Sequence, residues 1–155
     1  MRVQLAPDQA EKLAATLKHA GRRETGGQLF GEQIAPSDFL VTDLTIQARA
    51  GTIARFVVDL LQAARDAVRF FNRTEHRYTR FNYVGEWHSH PSFAVRPSRT
   101  DVATMRELVQ DPEFRGSFAV LMIVRLDNGV ITAGGWVFDP KGTERGITLE
   151  MSLER

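Results

Sequence analysis

Residues Phe118 to Val124 form the longest unbroken apolar run in the chain, seven residues closed by Arg125. The run has the length of a buried strand and falls far short of the roughly 20 apolar residues that span a bilayer. Asp127-Asn128-Gly129 follows, a tight turn of residues that tolerate positive φ, and Ile131 to Phe138 then completes a hairpin. A buried strand needs a layered domain around it, and the rest of the chain reads as alternating helices and strands.

Asp8 can cap a helix that starts near Gln9, and Gly21 can end it. Ala10, Leu13, Ala14 and Leu17 share one face of that helix. Gly26-Gly27 leads into a strand through Leu29, Phe30 and Ile34. Pro36-Ser37-Asp38 is a turn, and Phe39 to Gln47 is the hairpin partner. Thr52 to Val58 is a further strand candidate. Leu60, Ala64, Ala67, Val68 and Phe71 predict one buried stripe on a second helix. Phe81 to His90 reads as a strand bounded by Pro91. Pro97 and Ser98 open a short helix to about Gln110, and Ile147 to Leu153 alternates as a last strand.

The length of 155 residues fits one domain over 1–155. Lys plus Arg is 20 against 19 Asp plus Glu, a net charge of +1, which gives no general pull toward nucleic acid or an anionic membrane. Cysteine is absent. That excludes disulfides, iron–sulfur clusters, thiolate zinc sites and cysteine nucleophiles, and it suits a reducing cytoplasm. Met1 to Ala10 holds no apolar stretch of signal-peptide length, so a cytoplasmic location is expected.

The chemistry is concentrated in Trp87 to Asp101, read WHSHPSFAVRPSRTD. His88 and His90 are two apart, so on a strand both imidazoles point to one face, and Trp87 points to the other. Asp101 can supply a third ligand once the chain turns back through Pro91 and Pro97. Two imidazoles and a carboxylate suit zinc, which keeps three protein ligands and an open position at catalytic sites. A structural reading stands beside this one. A His-x-His pair can be purely structural, and Ser98 can cap the amide of Asp101 at a helix start that favours a carboxylate.

The whole pattern resembles the JAMM, or MPN-plus, signature of the Mov34/MPN/PAD-1 metalloprotease superfamily: His88, His90, Pro91, six residues, Ser98, two residues and Asp101. Glu24-Thr25-Gly26-Gly27, followed by Gln28-Leu29-Phe30-Gly31, resembles the glutamate segment of its bacterial and archaeal members. The order of elements is similar to the family's over roughly Asp8 to Asp139. The resemblance implies an α/β fold of the α+β type, a JAB/MPN-like domain with a mixed, mostly antiparallel curved sheet flanked by helices. It implies that His88, His90 and Asp101 bind zinc, that Glu24 is the general base, and that Ser98 donates to the oxyanion. Glu86, on the same strand face as His88, competes for the role of base. Glu24 can also be read as a surface charge paired with Arg22 or Arg23.

The proteolytic members cut after the Gly-Gly tail of ubiquitin or a ubiquitin-like protein, so the implied partner is such a protein or its conjugate. Only Val102 to Ser117 separates Asp101 from the next strand, too little for the insertion of eukaryotic deubiquitinases, so a compact prokaryotic member is expected. A sulfur-carrier adduct or a small amide is the alternative substrate, and a non-catalytic MPN scaffold is a further alternative. No nucleic-acid or membrane partner is expected. Arg65, Arg69, Arg73 and Arg77, spaced by four, are either a docking stripe for an acidic partner or a solvated face. Gly134-Gly135 reads as a bulge or a substrate path, and His19 and His76 as surface residues.

Overall fold

The computed structural model describes residues 1–47 and 60–151, with the side chains of 60–64 left out. In chain order the elements are β1 (Arg2–Leu5), α1 (Pro7–Ala20), β2 (Gly26–Ala35), β3 (Asp38–Leu44), α2 (Leu60–Arg73), β4 (Phe81–Ser89), α3 (Arg99–Gln110), β5 (Ala119–Asp127), β6 (Val130–Phe138) and β7 (Glu144–Met151). The strand candidate Thr52 to Val58 lies outside the described residues.

The sheet is mixed, as expected, but it is a closed barrel rather than a curved sheet flanked by helices. It closes into a barrel in the order β1-β3-β2-β4-β5-β6-β7. Closure comes from β1, which pairs in parallel with both β3 and β7. The hairpins β2–β3, β5–β6 and β6–β7 and the β2–β4 pair are antiparallel, and β4–β5 is parallel. β1 escapes a pattern reading because only Val3 and Leu5 are apolar and both its partners are distant in sequence. Closure has a physical return, since a closed sheet leaves fewer unpaired edges.

Helix α1 begins at Pro7 rather than at a side-chain cap on Asp8, and Gly21, at φ 59°, ends it as expected. Its buried face of Ala10, Leu13 and Leu17 packs in one cluster with Val3, Leu29, Val41, Trp87 and Met122. The strand β5 alternates between two cores. Val120, Met122 and Val124 join the α1 cluster, while Ala119, Leu121 and Ile123 face Met105 and Val109 of α3. This is why the longest apolar run has no polar face: both sides are covered.

Helix α2 departs from its predicted stripe. Leu60 and Ala64 of that stripe lie outside the described side chains; among the described ones Phe70 is buried, its ring 4.9 Å from that of Phe30, whereas Val68 is 57% exposed. Ala67 and Phe71 are half-buried. Arg69, Arg73 and Arg77 of the arginine series pair with Asp66, Asp43 and Glu75. Gly134 and Gly135 mark no bulge, because β6 keeps an unbroken register with β5 through both. A Cβ on Gly134 would lie 2.5 Å from the Trp136 ring, and one on Gly135 would lie 2.8 Å from the Ile147 side chain. These glycines make room for neighbours. No described helix is long and apolar enough to cross a membrane.

Register shifts occur instead in the β2–β3 pair and, nearest the histidines, in β4. Leu29 pairs with Gly85 and Phe30 with Tyr83, which leaves Val84 as the extra residue. The shift puts Val84 and Trp87 in the same core and brings the Tyr83 hydroxyl to Glu86 at 2.7 Å. Gly85 is needed here, since a Cβ would lie 1.9 Å from the Val120 carbonyl oxygen of β5. Gly85→Ala should therefore pry β4 from β5 and lower the unfolding free energy by about 2–4 kcal/mol, read from urea titration.

Candidate metal centre

The site is assembled where β4 ends and α3 begins. Gly26 of β2 pairs with His88 of β4, which brings the start of β2 alongside the histidine strand. A second link continues the register. The Ser89 amide donates to the Thr25 carbonyl at 2.9 Å, and the Thr25 amide donates to Ser89 Oγ at 3.0 Å. Ser89 is 2% exposed, so this clamp works away from water and fixes Glu24, one residue before it.

His88 and His90 point to one face, as the i, i+2 spacing requires. Their Nε2 atoms are 3.0 Å apart, and Asp101 Oδ1 and Oδ2 lie 3.3 and 3.4 Å from His88 Nε2 and His90 Nε2. One ligand atom from each of these three residues lies within 4.8 Å of the others. His90 Nδ1 donates to the Ala94 carbonyl at 2.9 Å, since a carbonyl only accepts. That bond fixes the tautomer and leaves the Nε2 lone pair facing the cluster, the outer contact that metal-binding imidazoles usually make. Two imidazole nitrogens and a carboxylate fit zinc.

Asp101 is held from its own helix. Its amide donates to Ser98 Oγ at 3.0 Å and its carboxylate accepts from the Ser98 amide at 2.8 Å, a reciprocal capping box. Burial pushes the Asp101 carboxyl up. With the imidazoles protonated, hydrogen bonds from His88 and His90, the His88 charge and the Ser98 amide outweigh it and hold the group well below the usual carboxylate range. The structural and the metal-binding readings of Ser98 and Asp101 therefore coincide in one arrangement.

Glu24 is 8% exposed and lies outside the three-residue cluster. It forms no ion pair with Arg22 or Arg23 among the described residues, which corrects the surface-charge reading. Burial raises its pKa, the His88 and His90 charges lower it, Asp101 raises it, and the net displacement is upward. Glu86 is placed differently. Its Oε1 accepts from Tyr83, and its Oε2 is sealed from solvent with no partner. Burial pushes its carboxyl up to about 7 against the hydrogen bonds of Tyr83 and Gln28.

Of the five residues singled out in the sequence, the structure brings His88, His90 and Asp101 together, caps Asp101 with Ser98, and sets Glu24 within electrostatic reach of the three. Sequence reasoning missed the Thr25–Ser89 clamp and the Ala94 carbonyl. The first has a faint signal, a small hydroxyl between the two histidines that faces inward by alternation. The second is a backbone atom and leaves none.

The family described as prokaryotic homologues of the JAB domain matches residues 7–136. Among solved structures, a protein from Desulfitobacterium hafniense is similar at a TM-score of 0.64 and 17% identity, covering 98% of this chain and 94% of its own. A protein from Salinibacter ruber is similar at 0.57 and 20% identity, covering 96% of this chain and 91% of its own. Both likenesses concern the fold. No curated protein matches the chain.

Two outcomes are expected. The protein should take up about one zinc per chain by elemental analysis, and His88→Ala or Asp101→Ala should abolish uptake. A folded protein that refuses added zinc would contradict the assignment. Glu86 gives a pH signature. An unfolded glutamate loses its proton above about 4.5, but folded Glu86 keeps it to about 7, so stability falls as pH rises between these values and is level beyond. Zinc-free Glu86→Gln should gain on the wild type by up to about 3 kcal/mol from pH 4 to 8 in urea titrations, and a constant difference would refute this.

Proposed function

The chain belongs to the family of prokaryotic JAB-domain homologues, and from that premise we propose that it is a zinc-dependent metallopeptidase. Its reaction is hydrolysis of the peptide or isopeptide bond that follows the C-terminal Gly-Gly of a ubiquitin-like protein. One observation carries the reading: two imidazole nitrogens and the Asp101 carboxylate converge beside a buried glutamate whose proton affinity is raised.

His88, His90 and Asp101 would hold the ion. Bound zinc would supply Lewis-acid activation of water and of the scissile carbonyl. Glu24 accepts the water's proton at its carboxylate and passes it to the departing amine. Its proton affinity, raised by burial, helps because it makes the carboxylate a stronger base. Ser98 Oγ already accepts from the Asp101 amide, so its own O–H is left to donate to the oxyanion. The Thr25–Ser89 clamp keeps Glu24 beside the histidines while the proton moves. Glu86 supports this division of roles, since it is engaged by Tyr83 and turned from water. Glycines before the scissile bond suit the site because a chain without Cβ passes close to the metal-binding face. A sulfur-carrier adduct or a small amide would use the same chemistry with different substrate contacts.

Glu24→Gln should keep zinc and fold and lose hydrolysis of a Gly-Gly-linked ubiquitin-like fusion by at least about a hundredfold. Mass spectrometry of the products locates the scissile bond. Undiminished turnover in that variant would move the base elsewhere, and cleavage only of free small amides would remove the ubiquitin-like substrate.

A further inference from the structure

The arginines of this chain fall into two populations. Arg2, Arg69, Arg73, Arg77, Arg80 and Arg106 each meet a carboxylate of the chain. Arg22, Arg23, Arg96 and Arg99 are exposed and enter no ion pair among the described residues. These four are not scattered. Arg22 and Arg23 immediately precede Glu24, and Arg96 and Arg99 flank Ser98, within five residues of Asp101. The other unpaired arginines, Arg65, Arg115 and Arg145, lie apart on α2, the α3–β5 connection and β7. Arg23 donates to the Ala20 and His19 carbonyls at the end of α1, which positions its charge without cancelling it. Four of the seven described arginines without an ion pair thus sit on the two segments that carry Glu24, Ser98 and Asp101.

Phe93 adds an apolar element to the same rim. It is 49% exposed, its ring stands edge-on to His90 at 6.1 Å, and Arg125 holds its carbonyl at 2.9 Å. Arg125 itself is neutralised by Asp127.

We propose that this rim selects an acidic protein tail: the substrate carries Asp or Glu within about three to five residues of the scissile bond. The span follows from geometry. A guanidinium one or two residues from Glu24, Ser98 or Asp101 reaches roughly 10 Å, and an extended chain rises about 3.3 Å per residue. Guanidiniums pair with carboxylates in two-pronged fashion, so the rim both attracts and orients such a tail. An extended polyanion such as RNA fits less well, because the unpaired charge is confined to a short rim beside an exposed phenylalanine. The inference rests on reading the site as a protein-tail hydrolase and names the substrate class for it.

The test is binding, kept separate from cleavage. Zinc-loaded Glu24→Gln protein is titrated, by fluorescence anisotropy, into labelled peptides in which one amide-linked alanine follows a Gly-Gly pair. The peptides carry glutamate, serine or lysine at the three to five positions before that pair. The glutamate peptide should bind at least about tenfold more tightly than the lysine peptide at low salt, and the margin should shrink toward 0.5 M salt, where screening reaches within about 4 Å. Adding Arg22→Glu and Arg99→Glu should reverse the order. Zinc content and melting temperature check that fold, and Arg22→Gln with Arg99→Gln should abolish the preference in a milder background. Equal affinity for the three peptides, or an order that survives charge reversal, overturns the proposal. So does a single-stranded RNA of equal charge that binds as tightly as the glutamate peptide and weakens with the same variants. If the wild type cleaves these peptides without charge preference, the hydrolase reading stands and the rim proposal falls. If the preference holds and the wild type cleaves none of them, the hydrolase reading falls alone.

Discussion

The antiparallel pairing of β2 with β4 is the contact on which the site depends. It sets Gly26 opposite His88, and the Thr25–Ser89 bonds carry the same register past the end of the ladder. Glu24 comes from far upstream in sequence, and nothing local would hold it near the histidines. A slip of one residue would turn both imidazoles into the core and Trp87 out of it. The core forbids that slip. Trp87 is fully buried and its indole Nε1 donates to the Thr45 carbonyl at 2.8 Å, so packing and a buried hydrogen bond lock the strand face that the histidines need.

Around that pairing the barrel supplies rigidity from two directions. On one side α1 fills the cluster beneath Trp87. On the other, α3 covers β5 and directs its N-terminus at the histidines. Asp101 sits in the first turn of α3, where the helix dipole and the capping box both favour an ionised carboxylate. A carboxylate kept ionised near two imidazoles is what a divalent cation requires, so the atoms that cap the helix are also the ones that could hold a metal.

Local features of this chain were readable because they are short-range. The i, i+2 histidines, the Ser98–Asp101 cap, the Asn128-Gly129 turn and the apolar run of β5 each follow from a few neighbouring residues, and each stands as expected. What the pattern could not show depends on partners distant in sequence. β1 is two apolar residues on a short strand, and only β3 and β7 make it part of a barrel. The bulge at Val84 is invisible until Leu29 and Phe30 of another strand are laid beside it. Helix α2 turned Phe70 inward rather than Val68 because the Phe30 ring was waiting on β2. In each case the tertiary partner overrode the local period.

Two carboxyl groups near the histidines share a raised proton affinity, and their surroundings separate them. Glu86 is bonded to Tyr83, flanked by Gln28, and has its second oxygen shut away, so its carboxyl is engaged within its own pocket. Glu24 feels both histidines and Asp101 through space, and its segment opens at an exposed arginine pair. Burial alone would make either group a reluctant acid. Proton transfer also needs proximity to the reacting atoms, and of the two only Glu24 interacts electrostatically with His88, His90 and Asp101. The rim arginines bear on that difference: they leave Glu24 unpaired, so its carboxylate keeps its lone pairs for water while their charge is left to face an incoming chain.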